Sequence, residues 1–157
     1  MSADDIVECP LISLGTMATD LRWKDEYSVN NELMDRQHRR LLDLAAKVLD
    51  ARGDPERLLR QVDALYDHTL EHFRAEERLM REFSFPGYVN HRATHDRIMD
   101  EFHTLNAQLR LDPRATSRVE YFMVKWVLDH ITSDDRRLGA FLGGNQKVGL
   151  TLSPEDC

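Results

Sequence analysis

The sequence predicts an all-α protein, an up-down-up-down four-helix bundle with an N-terminal extended arm. Four stretches carry apolar residues at steps of three and four, which is the period of one helix face. Short segments rich in Gly, Pro and Asp separate these stretches, and short loops join antiparallel neighbours in a bundle. The sequence shows no β-hairpin signal and no internal repeat.

The first two helices are bounded by clear start and stop signals. The first helix is expected over residues 31–52, with Gly53 as its stop. In the second helix, Asp54 is expected to be the N-cap, and Pro55 would occupy the first helical position. This helix should continue to about Phe83, where the segment "SFPG" breaks it.

The third helix is expected over 88–110 and the fourth over 117–142, with "LDPRATS" between them. Gly143 and Gly144 would end the fourth helix. Trp23 and Tyr27 could anchor the arm to the bundle. We therefore expect an arm over 1–20, the bundle over 21–142 and an irregular tail over 143–157.

Composition limits the classes of partner. The net charge is -7, and the 21 Lys and Arg residues are scattered among 28 acidic residues, which disfavours nucleic acid or an anionic membrane as the main partner. No apolar run approaches the roughly 18 residues of a membrane span. The segment "MSADDIVECP" lacks the pattern of a signal peptide, and Cys9 and Cys157 are too few for a disulfide framework. These features predict a reduced, cytoplasmic chain.

Each helix places a histidine, alone or with a second histidine or a carboxylate, on or beside its apolar stripe. A single such residue is more often a hydrogen-bonded core histidine than a metal ligand. Residues four apart share one helix face, however, so a pair with this spacing can chelate one centre. The set comprises His38, His72, Glu76, His91, His95, His130 and Asp135.

The alternating helix directions place all seven residues at one level of the bundle. Counted from the end where the first helix begins, they fall within a slab centred roughly 10 Å into the molecule. Five imidazoles and two carboxylates are too many for one metal, and suit two first-row ions that share bridging carboxylates. Ligand type alone leaves Fe, Mn, Zn and Cu open. A histidine-rich set favours reversible ligand binding over oxidation of substrates.

These residues resemble the hemerythrin family, most closely the single-domain bacterial hemerythrins. The resemblance covers about residues 21–142. It rests on Trp23, "MDRQH" ending at His38, "HFRAEERLM" at 72–80, "HRATH" from His91 to His95, and "WVLDHITSDD" containing His130 and Asp135.

The resemblance implies two Fe ions, cycling between Fe2+ and Fe3+, with an oxo or hydroxo bridge. It implies that His91, His95 and His130 bind one iron, that His38 and His72 bind the other, and that Glu76 and Asp135 bridge the pair. Asp134 is a rival for Asp135, but the family spacing selects Asp135. The two-histidine iron would keep an open position for O2.

Three residues around His130 are expected to form the apolar wall of an O2 pocket: Trp126, Val127 and Ile131. His68 lies one turn before His72, so we expect a role beside the site rather than ligation. The family often has an aromatic residue where Leu138 stands and a tyrosine where His68 stands. These departures concern the pocket rather than the metal ligands.

The resemblance implies reversible O2 binding by a carrier, store or sensor module that is not an enzyme. An alternative is a di-iron enzyme, such as a peroxidase or an iron-donating repair protein. A metal-free structural bundle would have to satisfy seven buried polar groups internally, which disfavours it. The sequence identifies no protein partner.

Overall fold

The computed structural model describes residues 20–149, and side chains within 20–144. Cys9, Cys157 and almost all of the expected arm lie outside the described residues. Within 20–149, no helix combines the length and the apolar character needed to cross a membrane.

The predicted four-helix bundle is confirmed. Its first three helices are α1 (Glu32–Asp50), α2 (Pro55–Glu82) and α3 (Tyr88–Leu111). The fourth helix covers residues 117–149 and is composed of α4 (Ser117–Phe122), two π-helical segments (Met123–Leu128 and Ile131–Asp135) and α5 (Arg136–Gly149). No strand occurs in the part of the chain that the structure describes.

The helix starts follow from local side-chain chemistry. The Asn31 side chain accepts a hydrogen bond from the backbone N–H of Met34 at 3.1 Å, which caps α1. Asp54 caps α2 in the same way, with Arg57 N–H as the donor at 3.0 Å, as predicted. Gly53 adopts φ 89°, a left-handed conformation that glycine tolerates, and separates the two helices.

The predicted end of the fourth helix was wrong. The helix does not stop at Gly143 and Gly144 but continues to Gly149, so residues 143–149 are helical rather than an irregular tail. A glycine ends a helix when it takes a positive φ just beyond the last turn. Neither Gly143 nor Gly144 does so, and the helix passes through both.

Two apolar clusters lie above and below one level of the bundle. The larger cluster includes Leu41, Phe73 and Ile131, and a smaller one includes Met34 and Met80. On α1, α2 and the fourth helix the polar residues fall between members of the two clusters. On α3, His91 and His95 lie between Tyr88, which packs against the smaller cluster, and Ile98 of the larger one. The packing therefore shields this level from water on both sides, which strengthens every electrostatic interaction within it.

The segment before α1 packs onto the larger cluster. Tyr27 is buried, and its ring meets the Trp23 ring edge to face at a centroid distance of 6.1 Å. The Arg39 guanidinium lies 4.3 Å from the centre of the Trp23 ring, a cation–π geometry. Trp23 and Tyr27 thus pack onto the bundle, and their role as anchors of the arm stays a prediction.

Candidate metal centre

All four helices contribute to a single cluster of polar side chains in the core. Helix α1 supplies one residue, α2 and α3 supply two each, and the fourth helix supplies two. None of the seven is more than 4% exposed. They are His38, His72, Glu76, His91, His95, His130 and Asp135.

The local geometry of the fourth helix explains how its two members meet. His130 and Asp135 are five residues apart, which in an α-helix would turn them well away from each other. The segment Ile131–Asp135 is π-helical, and the i→i+5 hydrogen bonding of a π turn stacks residues five apart. As a result, His130 Nε2 lies 3.0 Å from Asp135 Oδ1.

The ligand atoms fall into two overlapping groups, and within each group they lie within 4.8 Å of one another. The three-histidine group contains His91, His95, His130, Glu76 and Asp135. The two-histidine group contains His38, His72, Glu76 and Asp135. Each group could hold one metal ion, and both carboxylates are shared.

Each shared carboxylate directs its two oxygens to different groups. Glu76 Oε1 lies 3.5 Å from His72 Nε2, whereas Glu76 Oε2 lies 3.1 Å from His95 Nε2. Asp135 Oδ2 lies 3.0 Å from His38 Nε2, and Asp135 Oδ1 lies 3.1 Å from His91 Nε2. This arrangement is what two bridging carboxylates require.

Several of these buried atoms have no hydrogen-bond partner among the described residues: His72 Nε2, Glu76 Oε1, His91 Nε2 and Asp135 Oδ1. Buried polar atoms are normally satisfied, because an unsatisfied one costs about 1–3 kcal/mol. These atoms all converge on the same space between the helices. Nitrogen and carboxylate oxygen donors of this kind fit a pair of first-row metal ions.

The tautomers of His95 and His130 lead to the same conclusion. Their Nδ1 atoms lie 3.2 Å from Glu77 Oε1 and 3.3 Å from Asp134 Oδ2. Carboxylates accept hydrogen bonds, so each Nδ1 carries the donated proton. When both rings are neutral, the two Nε2 atoms, which are 3.1 Å apart, present lone pairs to each other, an arrangement that a cation between the ligands stabilises.

The charges of the cluster stabilise one another in the absence of metal. Burial by itself would lower the pKa of His91, but Asp135 and Glu76 outweigh it and raise that pKa to about 9. Burial likewise opposes the charge on His130, yet the neighbouring carboxylates raise its pKa to about 10.

The pKa values of the two shared carboxylates move in the opposite direction. Burial and the charge of Asp135 would raise the pKa of Glu76, but the surrounding imidazoles lower it to about 2. The pKa of Asp135 is likewise held well below its ordinary value, because the adjacent histidines outweigh the cost of burial. Both carboxylates are therefore ionised and available to a metal.

Sequence reasoning missed a set of residues that hold the outer nitrogens of the histidines. Gln37 Oε1 accepts a hydrogen bond from His72 Nδ1 at 3.1 Å. Glu77 accepts one from His95 Nδ1, and Asp134 accepts one from His130 Nδ1. The only available signal was position: Gln37 and Glu77 each adjoin a member of the cluster. Asp134 was considered as an alternative to Asp135, but it faces the outer side of the ring.

His68 lies outside both groups of ligand atoms. Its Nε2 is 3.1 Å from the backbone carbonyl oxygen of Gln37. Burial is the main cause of a lowered His68 pKa, so the ring is neutral and Nε2–H donates to that carbonyl. His68 therefore contacts the residue that orients His72.

A small cavity adjoins the cluster between its two halves. It is lined by Leu41, Thr69, His72, Phe73, Val127, His130 and Ile131. Its volume of about 10 Å³ is close to the 10–15 Å³ or so that accommodates one water molecule. Val127 and Ile131 are among its lining residues, and their place in an O2 pocket stays a prediction.

Trp126 does not lie on this wall. It lines a separate pocket with Thr94 and Arg97, on the outer side of His130. Neighbouring residues on a helix point in different directions, whereas residues four apart share a face. Val127 and Ile131 have that spacing, and Trp126 does not, so this cavity gives no support to the prediction that Trp126 belongs to the wall of an O2 pocket.

The family model of the hemerythrin HHE cation binding domain matches residues 29–142. A bacteriohemerythrin of Methylococcus capsulatus is 29% identical over 126 residues, covering 74% of this chain and 92% of the relative. A hemerythrin-like protein of Naegleria gruberi is 26% identical over 122 residues, covering 78% of this chain and 93% of the relative. The crystal structure of a wild-type hemerythrin superposes with a TM-score of 0.70 at 27% identity, covering 76% of this chain and 95% of that one. The chain therefore belongs to the hemerythrin family.

Proposed function

We propose that this protein binds O2 reversibly at a non-haem di-iron centre with an oxo or hydroxo bridge. The three-histidine group would hold one iron and the two-histidine group the other, with Glu76 and Asp135 as bridges. When bound in the ferrous state, the two ions would supply the electrons for reversible O2 binding. The family relationship, the two overlapping donor groups and the absence of thiolates from either group support the proposal.

The main support for this proposal is that the two groups offer unequal numbers of donor residues. The three-histidine group offers five donor residues, and the two-histidine group offers four. The two-histidine group therefore leaves more of its coordination shell open. The small cavity touches His72 of that group and His130 of the other, so space for a small ligand adjoins both positions, of which the two-histidine position has fewer donors.

The cavity wall provides few protons. Thr69 already donates its hydroxyl hydrogen to the Leu65 carbonyl at 2.8 Å. His72 and His130 are held at their outer nitrogens by Gln37 and Asp134. The other lining side chains are apolar, so the wall offers a bound ligand few proton donors, which supports a reversible adduct.

The size of the cavity favours a small ligand such as O2 over an organic substrate. A space of about 10 Å³ has room only for a very small ligand, which disfavours oxidation of an organic substrate at this site. Carrier, store and sensor are all compatible with such a site. The cytoplasmic location and the absence of a nucleic-acid partner stay predictions from the sequence.

Metal analysis combined with O2 uptake tests the proposal. The purified protein should contain two irons per chain, and the anaerobically reduced form should take up one O2 per two irons. His38→Ala should lower both values, whereas His103→Ala, at an exposed position on α3, should leave both unchanged. A preparation that binds a single zinc per chain would contradict a di-iron centre.

A further inference from the structure

The outer partners of the histidines differ in charge between the two groups. In the three-histidine group, His95 and His130 are each held by a carboxylate, at 3.2 Å by Glu77 and at 3.3 Å by Asp134. In the two-histidine group, His72 is held by the neutral amide of Gln37 at 3.1 Å. Among the described residues, His38 Nδ1 has no hydrogen-bond partner.

A carboxylate that accepts the Nδ1–H of an imidazole makes the opposite nitrogen a stronger electron donor, because the ring gains anionic character. A neutral amide orients the ring without adding that charge. Glu76 and Asp135 are shared, so they act on both groups alike. Apart from the third histidine of the three-histidine group, the difference between the two positions therefore arises from Glu77, Asp134 and Gln37.

We propose that Glu77 and Asp134 make the three-histidine group the position that stabilises the ferric state, whereas Gln37 leaves the two-histidine group as the position that retains the ferrous state. This inference rests on the proposed di-iron centre and specifies how its two positions share charge. In the half-oxidised protein the ferrous ion would occupy the two-histidine group, beside the cavity. The outer partners would thus protect from oxidation the position that has fewer donors.

Nearby arginines do not cancel this asymmetry. Arg81 Nη1 lies 3.9 Å from Glu77 Oε2, and Arg137 Nη1 lies 3.3 Å from Asp134 Oδ1. The two arginine side chains, however, are 57% and 74% exposed. Exposed cations are screened by water and salt. The carboxylates are only 19% and 23% exposed, and they contact the rings directly.

Spectroelectrochemical titration of the iron-loaded protein without O2 measures the effect. Each of the two midpoint potentials reports one electron passing from the electrode, through a mediator, to one ferric ion. In the original protein the two-histidine position should be reduced first, at the higher potential. Glu77→Gln keeps a hydrogen-bond acceptor for His95 but removes the negative charge. It should therefore raise the lower midpoint potential, which belongs to the three-histidine position, and narrow the gap between the two midpoint potentials. Asp134→Asn should act in the same direction.

The reciprocal variant Gln37→Glu adds a carboxylate to His72 and should lower the higher potential, again narrowing the gap. Asp96→Asn is the matched control, because Asp96 is exposed and adjoins His95. Equal shifts in Glu77→Gln and Asp96→Asn, or a Gln37→Glu effect confined to the lower potential, would overturn the inference. Two irons per chain with an unchanged gap would refute only this inference, whereas the absence of two irons would refute the proposed function.

Discussion

Glu76 and Asp135 each direct one carboxylate oxygen toward the two-histidine group and the other toward the three-histidine group. The shortest separation is 3.1 Å for Glu76, from Oε2 to His95 Nε2. For Asp135 it is 3.0 Å, both from Oδ2 to His38 Nε2 and from Oδ1 to His130 Nε2. Glu76 lies on α2 and Asp135 on the fourth helix. These two helices must therefore be packed together for both groups of ligand atoms to form.

Glu76→Ala should therefore lower the iron content below two per chain, because it removes one donor from both groups at once. Glu82→Ala removes a carboxylate from an exposed position near the end of the same helix and serves as the control. Metal analysis of both folded variants is the measurement. Two irons per chain in Glu76→Ala would show that Glu76 is not a bridge.

His68→Phe should keep both irons and the O2 adduct. His68 contacts the Gln37 carbonyl, one turn from His72, and it belongs to neither group of ligand atoms. The rate of autoxidation could change, because a phenyl ring no longer holds that carbonyl. Loss of one iron in this variant would make His68 a ligand.

Val127→Phe should slow O2 association while leaving the iron content intact, because the larger side chain fills the cavity. Extra volume in a packed core also costs about 1–3 kcal/mol of stability. Val124→Phe is the control, since Val124 is 43% exposed and does not line the cavity. Stopped-flow mixing with O2 would reveal the difference, and equal rates in the two folded variants would show that O2 enters elsewhere.

Gly139→Ala should destabilise the protein by about 1–3 kcal/mol, the usual cost of overpacking. A Cβ at Gly139 would collide with the backbone carbonyl of Val29, and Gly139 lies one turn beyond Asp135 on the same face. Gly143→Ala meets no atom within 4 Å and should gain about 0.5–1 kcal/mol in a helix interior. Thermal unfolding compares the two, and equal shifts would contradict the close approach.

The metal-free protein should be most stable in mildly acidic solution. His91 and His130 have pKa values raised from 6.5 to about 9 and about 10. Their contribution is fully present below 6.5 and is lost as the pH rises through 9 and 10. The pKa of Glu76 is lowered from 4.5 to about 2, so its contribution is present above 4.5 and is lost as the pH falls toward 2.

Metal binding should abolish the loss of stability at high pH, because the ligating histidines are then unprotonated throughout. Unfolding temperatures of the chelator-treated and iron-loaded proteins between pH 5 and 10 provide the measurement. Parallel profiles for the two forms would mean that the charged cluster does not govern the stability of the metal-free protein.

The cluster could be predicted because its members combine two signals. His72 and Glu76 stand four apart on an otherwise apolar stripe, and counting residues from one end of the bundle brings the other helices to the same level. Adjacent residues such as Gln37 and Glu77 lie off these stripes. Which ring they reach depends on how neighbouring helices are rotated, and spacing along one helix does not contain that information.

The fourth helix shows where spacing alone misleads. An ideal α-helix over the whole segment separates His130 from Asp135, whereas the π turn brings them together. Hydrogen-bond register depends on tertiary contacts as well as on local sequence. The same holds for Gly143, where the residue type suggested a stop but the backbone keeps helical geometry.

Reversible O2 binding is tested most directly by visible spectroscopy of the iron-loaded protein. The protein is reduced in the absence of O2, exposed to air, and then placed under vacuum. We expect an absorption band in the blue-green region that forms on exposure, disappears under vacuum and returns with O2, over repeated cycles. A single one-way conversion to the ferric protein, with no band that vacuum removes, would contradict reversible O2 binding.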